Sequence, residues 1–192
     1  DLEWWIKSQR RSLLGEIKYM AREGLLFEKC YRNNRGLWYF TYPFHMGLLL
    51  LIVWFILLII SALVAPAGVP APNSGIGVWV LYYLILIVGV AGLVLSSFGC
   101  IGLLIKRATD KNLKIYTVPE DYFNLSFILA ILLSGLLSWC LFDPLFITAR
   151  VFMRSLITFN PIADINNPAM CIGVILFSLF LIYMPFTHMM HA

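Results

Sequence analysis

Residues 42–65 read YPFHMGLLLLIVWFILLIISALVA and contain no aspartate, glutamate, lysine or arginine. About 20 apolar residues in helical form cross the hydrocarbon core of a bilayer. A barrel strand does not fit, because the apolar residues are continuous rather than alternating and the run is much longer than such a strand. This stretch therefore predicts a membrane-spanning helix.

Three further segments have the same character, namely 76–105, 122–149 and 168–192. They are separated by a Pro/Gly loop at 66–75, a basic loop at 106–120 and a mixed connection containing several helix breakers. Of the 192 residues, 61% are hydrophobic and 12% are charged, which lies outside the range of soluble domains. The predicted fold class is an all-α integral membrane protein with four transmembrane helices.

The basic residues divide unequally between the two sides that four spans define. Side A, reached by residues 1–41, the 106–120 loop and the chain end, carries eight lysines and arginines before residue 42 and four in the loop. Side B carries Arg150 and Arg154. The positive-inside rule makes side A cytoplasmic. We therefore expect a multi-pass protein of the cell membrane whose N-terminal segment and chain end lie in the cytoplasm.

The sequence divides into a cytoplasmic segment, 1–41, and a bundle, 42–192. Within the first, residues 12–31 predict an amphipathic helix whose apolar side chains enter the membrane interface while its basic ones face headgroups. Docking of a cytoplasmic partner subunit on this segment is an equally good interpretation. The net charge of +4 does not indicate nucleic-acid binding, because the charges lie between hydrophobic blocks. The four cysteines form no C-x-x-C pair and indicate no metal or iron–sulfur site.

All three histidines lie at the side A ends of spans, and ionisable residues there are functional candidates by default. His45 follows Pro43, a natural first-turn residue, in the first turns of helix one. His188 and His191 fall in the predicted last turn of the fourth helix. These helices run antiparallel, so the histidines share a depth, as bis-histidine ligation of haem requires. Interfacial histidines that reach for water and bind nothing are the competing interpretation.

Four stretches carry a family resemblance: PFHMG at 43–47, the segment 103–137 from LLIKRATDKNLKIYTVPEDYFNL onward, LITFNP at 156–161, and LFLIYMPFTHMMH at 179–191. Together they resemble the membrane subunit of respiratory nitrate reductase. They are more similar still to its relatives in heterodisulfide reductase and sulfite-reductase-linked membrane complexes. The resemblance implies a five-helix cytochrome b subunit that oxidises quinol and passes electrons to a cytoplasmic iron–sulfur partner. This chain would hold helices two to five.

The resemblance also implies site residues. His45 and His191 match the two ligands of the haem nearer the cytoplasm. A second ligand pair in the family corresponds here to Phe55 and Gly173, which cannot bind iron. We therefore expect one haem b and loss of the side B haem. His188 occupies a basic position of the family and is expected to pair with a haem propionate, or to be the ligand if the register shifts.

Met170 and Cys171 lie near the lost pair as conceivable soft ligands, although such residues at a helix start usually pack or face lipid. Asp143, Arg150 and Arg154 on side B are candidates for a proton acceptor and for contacts to the carbonyl of menaquinone or a similar quinone. Ordinary helix-end polarity also explains these three. The sequence therefore predicts an electron-transfer subunit rather than a complete enzyme. Its partner would be a nitrate reductase beta-like or heterodisulfide reductase-like iron–sulfur subunit, and the rival is a non-redox membrane anchor.

Overall fold

The computed structural model describes residues 13–65, 68–160 and 165–187, and it is built of helices in these ranges. A π-helical turn at Arg22–Leu26 joins the first two helices. A second π turn at Ser138–Phe142 continues the sixth helix, and a 3₁₀ turn at Met184–Phe186 continues the eighth. The eight helices are α1 Leu13–Ala21, α2 Glu28–Asn33, α3 Arg35–Val64, α4 Ile76–Thr109, α5 Lys111–Tyr116, α6 Pro119–Leu137, α7 Ile147–Ile157 and α8 Pro168–Tyr183.

Four helices are long and apolar enough to cross a membrane: α3, α4, α6 with its π turn, and α8 with its 3₁₀ turn. The predicted all-α membrane class with four spans is confirmed. The first two spans, α3 and α4, extend beyond the predicted segments on side A, because α3 begins at Arg35 and α4 ends at Thr109. Asn34 caps α3 by accepting a hydrogen bond from the Leu37 amide at 3.0 Å.

The third predicted span, 122–149, is wrong at its side B end. The helix stops at Phe142, and a separate helix, α7, begins at Ile147. Two local features break the chain here. Pro144 has no backbone N–H to donate, and Phe146 adopts a left-handed φ of 52°. Residues after 149, which the sequence assigns to a mixed connection, therefore continue as helix α7.

The fourth predicted span, 168–192, is described as helix as far as Phe186. Pro185 lies in the closing 3₁₀ turn, and Thr187 is extended with φ −92° and ψ 151°. His188 and His191 lie outside the described residues. Their predicted positions on the last helical turn therefore stay a prediction.

Glycines bring α3 and α4 into close contact. A Cβ atom built on Gly99 would lie 2.4 Å from the Phe44 nitrogen, and one built on Gly102 would lie 1.9 Å from the Phe40 ring. Small residues on one face let two membrane helices approach backbone to backbone. Gly99 and Gly102 therefore serve helix packing along this contact.

The remaining spans follow in chain order. The Cys100 thiol of α4 donates to the Leu125 carbonyl of α6 at 3.3 Å. Gly173 of α8 packs against Ser134 of α6. Helix α7 packs on α3, whereas α8 packs mainly on α6. Ala169 is the one residue of α8 that is buried within the described structure, so α8 is the peripheral span.

The segment before α3 folds back onto its side A end. The Trp38 indole donates to the Leu26 carbonyl at 2.8 Å. The apolar residues Leu13, Ile17 and Met20 of α1 follow helical spacing and are 75%, 62% and 70% exposed. The amphipathic helix predicted over 12–31 is interrupted in its described part: α1 ends at Ala21, a π turn follows, and Phe27, with a left-handed φ of 51°, separates that turn from α2. These apolar side chains of α1 are exposed within the described structure.

Candidate functional site

His45 lies within α3 rather than in its first turn. Because α3 begins at Arg35, Pro43 is an interior residue of the helix, and the expectation that it marks the helix start is wrong. A proline at this position removes the backbone hydrogen bond that its N–H would have made one turn back. His45 is half-buried two residues later, in the side A half of the span.

One ring nitrogen of His45 is engaged by the backbone. Nδ1 lies 2.9 Å from the Thr41 carbonyl oxygen, which only accepts, so Nδ1 carries the proton and donates. The lone pair is then on Nε2. A backbone carbonyl that fixes tautomer and ring orientation in this way is the usual outer contact of a metal-ligating histidine. The ring is also flanked by Phe27 at 4.6 Å and Phe44 at 5.2 Å between centroids. This donor chemistry fits an axial ligand of haem.

Contacts between helices show which residues of α4 and α6 share the depth of His45. The neighbouring residue Phe44 packs against Gly99. The next residue along α4, Cys100, donates its thiol proton to the Leu125 carbonyl. Leu125 of α6 therefore lies close to the level of His45 in the membrane.

The same level continues onto α8. Asn124 is 4% exposed, and its Oδ1 accepts a hydrogen bond from the Tyr183 hydroxyl at 2.9 Å. Asn124 Nδ2 is buried and has no hydrogen-bond partner among the described residues. Neither residue was among the site residues predicted from the sequence. The available signal was an asparagine inside the apolar run of α6.

The two positions that correspond to the second ligand pair are Phe55 and Gly173. Phe55 is 49% exposed on the outer surface of α3. A Cβ atom on Gly173 would lie 2.6 Å from Ser134 Oγ, so this part of α8 is pressed against α6. Neither position can supply a ligand, and Gly173 leaves no room for one. Met170 and Cys171 are half-buried in the first turn of α8.

Asp143 on side B is a helix cap. Its carboxylate is 5% exposed, and the two oxygens accept hydrogen bonds from the Ile147 amide at 2.7 Å and the Ala149 amide at 3.1 Å. These are amides of the first turn of α7, which have no partner within the helix. These two contacts account for Asp143 as the residue that caps the start of α7.

Arg150 is 3% exposed and bonds to the backbone around it. Nε and Nη2 each donate at 3.3 Å, to the carbonyls of Phe146 and Leu145, and the guanidinium lies 4.4 Å above the Tyr82 ring. Burial lowers the pKa of Arg150, while Tyr82 and Asp143 oppose that change. An arginine remains charged because its reference value is so high.

Arg154 closes the same arrangement. Its Nη1 donates at 3.2 Å to the carbonyl of Ala65, the C-cap residue of α3. A basic side chain at this end satisfies a free carbonyl and complements the helix dipole. The structure thus brings Asp143, Arg150 and Arg154 together along α7, with each bonded to backbone groups.

These features define a helical multi-pass membrane protein with a backbone-oriented histidine inside one span. The chain matches the family model described as nitrate reductase gamma subunit over residues 29–192. It belongs to the nitrate reductase gamma subunit family, whose members are membrane cytochrome b subunits that act in electron transfer. No curated protein and no solved structure matches the chain.

Proposed function

We propose that this chain holds one haem b and transfers electrons between a membrane quinone, menaquinone or a similar carrier, and a cytoplasmic iron–sulfur subunit. The observation that carries the proposal is the half-buried His45 ring, whose Nδ1 bonds to the Thr41 carbonyl and so leaves Nε2 as the nitrogen that can bind a metal. In a chain of this family, that arrangement is what an axial haem ligand requires.

His191 is the proposed second ligand, with His188 as the propionate partner. The single-haem stoichiometry is supported by the positions of the lost pair, since Phe55 faces outward and Gly173 is pressed against Ser134. The chain's own part is to hold the group and to keep water from it. His45 supplies the donor atom, and the rings of Phe27 and Phe44 cover its flanks.

Haem b supplies a one-electron redox centre when bound, so the two electrons released with two protons from one quinol leave singly. Side A is the proposed cytoplasmic face because it carries the basic segments. An iron–sulfur partner of nitrate reductase beta type or heterodisulfide reductase type would dock there. The helical segment before α3 offers it an exposed surface.

The rival proposal is a membrane anchor that docks the partner without a redox role. It is favoured by the backbone bonds of Asp143 and Arg150, which leave the side B candidates occupied in holding α7. The two proposals differ in haem content.

A pyridine haemochrome assay on the purified protein tests them. We expect about one haem b per chain, and loss of haem in His45→Ala. Leu49→Ala, one turn further along α3 and 38% exposed, is the control and should keep its haem. A value near zero would leave the anchor. A value near two would contradict the single site and direct attention to Met170 and Cys171.

A further inference from the structure

Asn124 places an unused hydrogen-bond donor inside the side A half of the bundle. Its side chain is 4% exposed, its oxygen is bonded to Tyr183, and its Nδ2 has no partner in the described part of the chain. A buried donor without a partner loses its hydration, and nothing in the described structure replaces it. Such a group in a native protein calls for an explanation, and an acceptor on a bound molecule is one.

Two other buried polar atoms share this condition but lie elsewhere. Trp54 Nε1 is pressed against Gly89 between α3 and α4. Ser97 lies on the face of α4 that turns towards α6, in step with Leu93 and Cys100. Asn124 differs because it lies at the contact of α6 with α8, the peripheral span.

The surroundings of the amide are aromatic and reach the lipid-facing surface. The Tyr183 ring lies 5.5 Å from Phe123 and 6.2 Å from Phe127, and Phe127 lies 5.6 Å from Phe180. Phe123 is 55% exposed. A flat ring that arrives from the lipid meets aromatic faces first and a polar amide behind them.

We propose that Asn124 and Tyr183 form a quinone headgroup site between α6 and α8, in which Asn124 Nδ2 donates to a quinone carbonyl. Tyr183 acts as a positioning residue, because its hydroxyl holds the amide oxygen and so directs the NH₂ group. The aromatic cluster of Phe123, Phe127 and Phe180 stacks against the ring. This inference rests on the proposed function and gives its quinone a place.

Two observations favour side A over side B for this ligand. Asp143 and Arg150 already bond to backbone groups of α7, so a quinone there would have to displace them. Asn124 Nδ2 has no partner among the described residues, and contacts through Leu125 and Cys100 place Asn124 near the level of His45. A quinone at this level would lie beside the single haem proposed for this chain.

Entry requires a small outward movement of α8. That helix packs mainly on α6, and Ala169 is its one buried residue within the described structure. A helix held along one side by a single neighbour separates more easily than one in the centre of a bundle. Lipid-soluble quinones approach from the same direction.

Photolabelling with an azido-naphthoquinone that carries one prenyl unit, on the full chain in lipid nanodiscs, tests the site. We expect labelled peptides from 119–127 and 179–183. Asn124→Leu should reduce this labelling about three- to tenfold, the value of one neutral hydrogen bond. Tyr183→Phe should reduce it less. Ser126→Leu, an exposed change on the same helix, is the matched control and should label as the unaltered protein does.

Three results would overturn the inference: labelling confined to α7, labelling that Asn124→Leu leaves unchanged, or loss of haem in Asn124→Leu. The last would assign the amide to the haem. Haem content is measured on the same samples, so the proposals fail separately. A protein without haem that still labels at α6 and α8 would contradict the electron-transfer role and keep the quinone site.

Discussion

The backbones of Gly47 and Ser96 touch across the α3–α4 contact: a Cβ atom on Gly47 would lie 2.3 Å from the Ser96 nitrogen. No side-chain rotation relieves a clash with backbone, so the helices would have to separate. The contact is one helical turn deeper than Phe44 and Gly99, and it therefore also fixes where His45 stands relative to α4 and α6.

Gly47→Ala is expected to destabilise the protein by about 1–3 kcal/mol, the usual cost of overpacking a filled contact. The melting temperature in detergent should fall by several degrees. Gly77→Ala is the matched control, because a Cβ there meets nothing within 4 Å in the same bundle. Equal melting temperatures for the two variants would contradict the close contact.

His191→Ala should remove the haem as His45→Ala does, whereas His188→Ala should keep it and change its reduction potential. The reason is that the resemblance to the family makes His191 an axial ligand and His188 a propionate partner. Haem content and a redox titration followed at the α-band distinguish the two roles. Haem retained in His191→Ala but lost in His188→Ala would shift the register by three residues.

Asp143→Ala should lower the free energy of unfolding by about 0.5–2 kcal/mol, because it removes the two bonds that cap α7. Asp143→Asn keeps one capping oxygen and should lose less. Thermal unfolding measures both, and naphthoquinol-driven haem reduction should continue in each variant. A stable Asp143→Asn that no longer accepts electrons from the quinol would instead make Asp143 a proton acceptor.

The four spans could be predicted from the sequence because length and apolar composition suffice for a helix in lipid. The break at Asp143–Phe146 was missed because apolar residues continue on both sides of Pro144 and hydropathy does not register a helix break, although Asp143-Pro144 is a turn signal. The pairing of Asn124 with Tyr183 was also inaccessible. It depends on which faces of α6 and α8 meet, and small contacts such as Gly173 on Ser134 decide that.

His45 was predictable as a candidate because ionisable residues are rare in spans. Its contact with the Thr41 carbonyl adds that Nδ1 is the nitrogen engaged by the backbone. The carbonyl lies one turn back on the same helix, so local geometry alone produces this bond. The partner histidines lie outside the described residues. Ligation by His45 and His191 therefore stays a prediction, and the geometry of the His45 ring supports it for the first of these residues.

Helix α1 is expected to lie in the membrane interface with Ile17 towards the acyl chains and Lys18 towards headgroups. Ile17 shares its exposed apolar face with Leu13 and Met20. A π turn and the short helix α2 separate α1 from the span α3, so the bilayer is the nearest apolar phase. Nitroxide labels at position 17 or 18, in a variant without the four native cysteines, report this in nanodiscs. Oxygen should relax the label at 17 more strongly, and a water-soluble nickel chelate the label at 18. Equal exposure of both labels to the chelate would place the helix in water. Its apolar face would then be the docking surface for the iron–sulfur subunit.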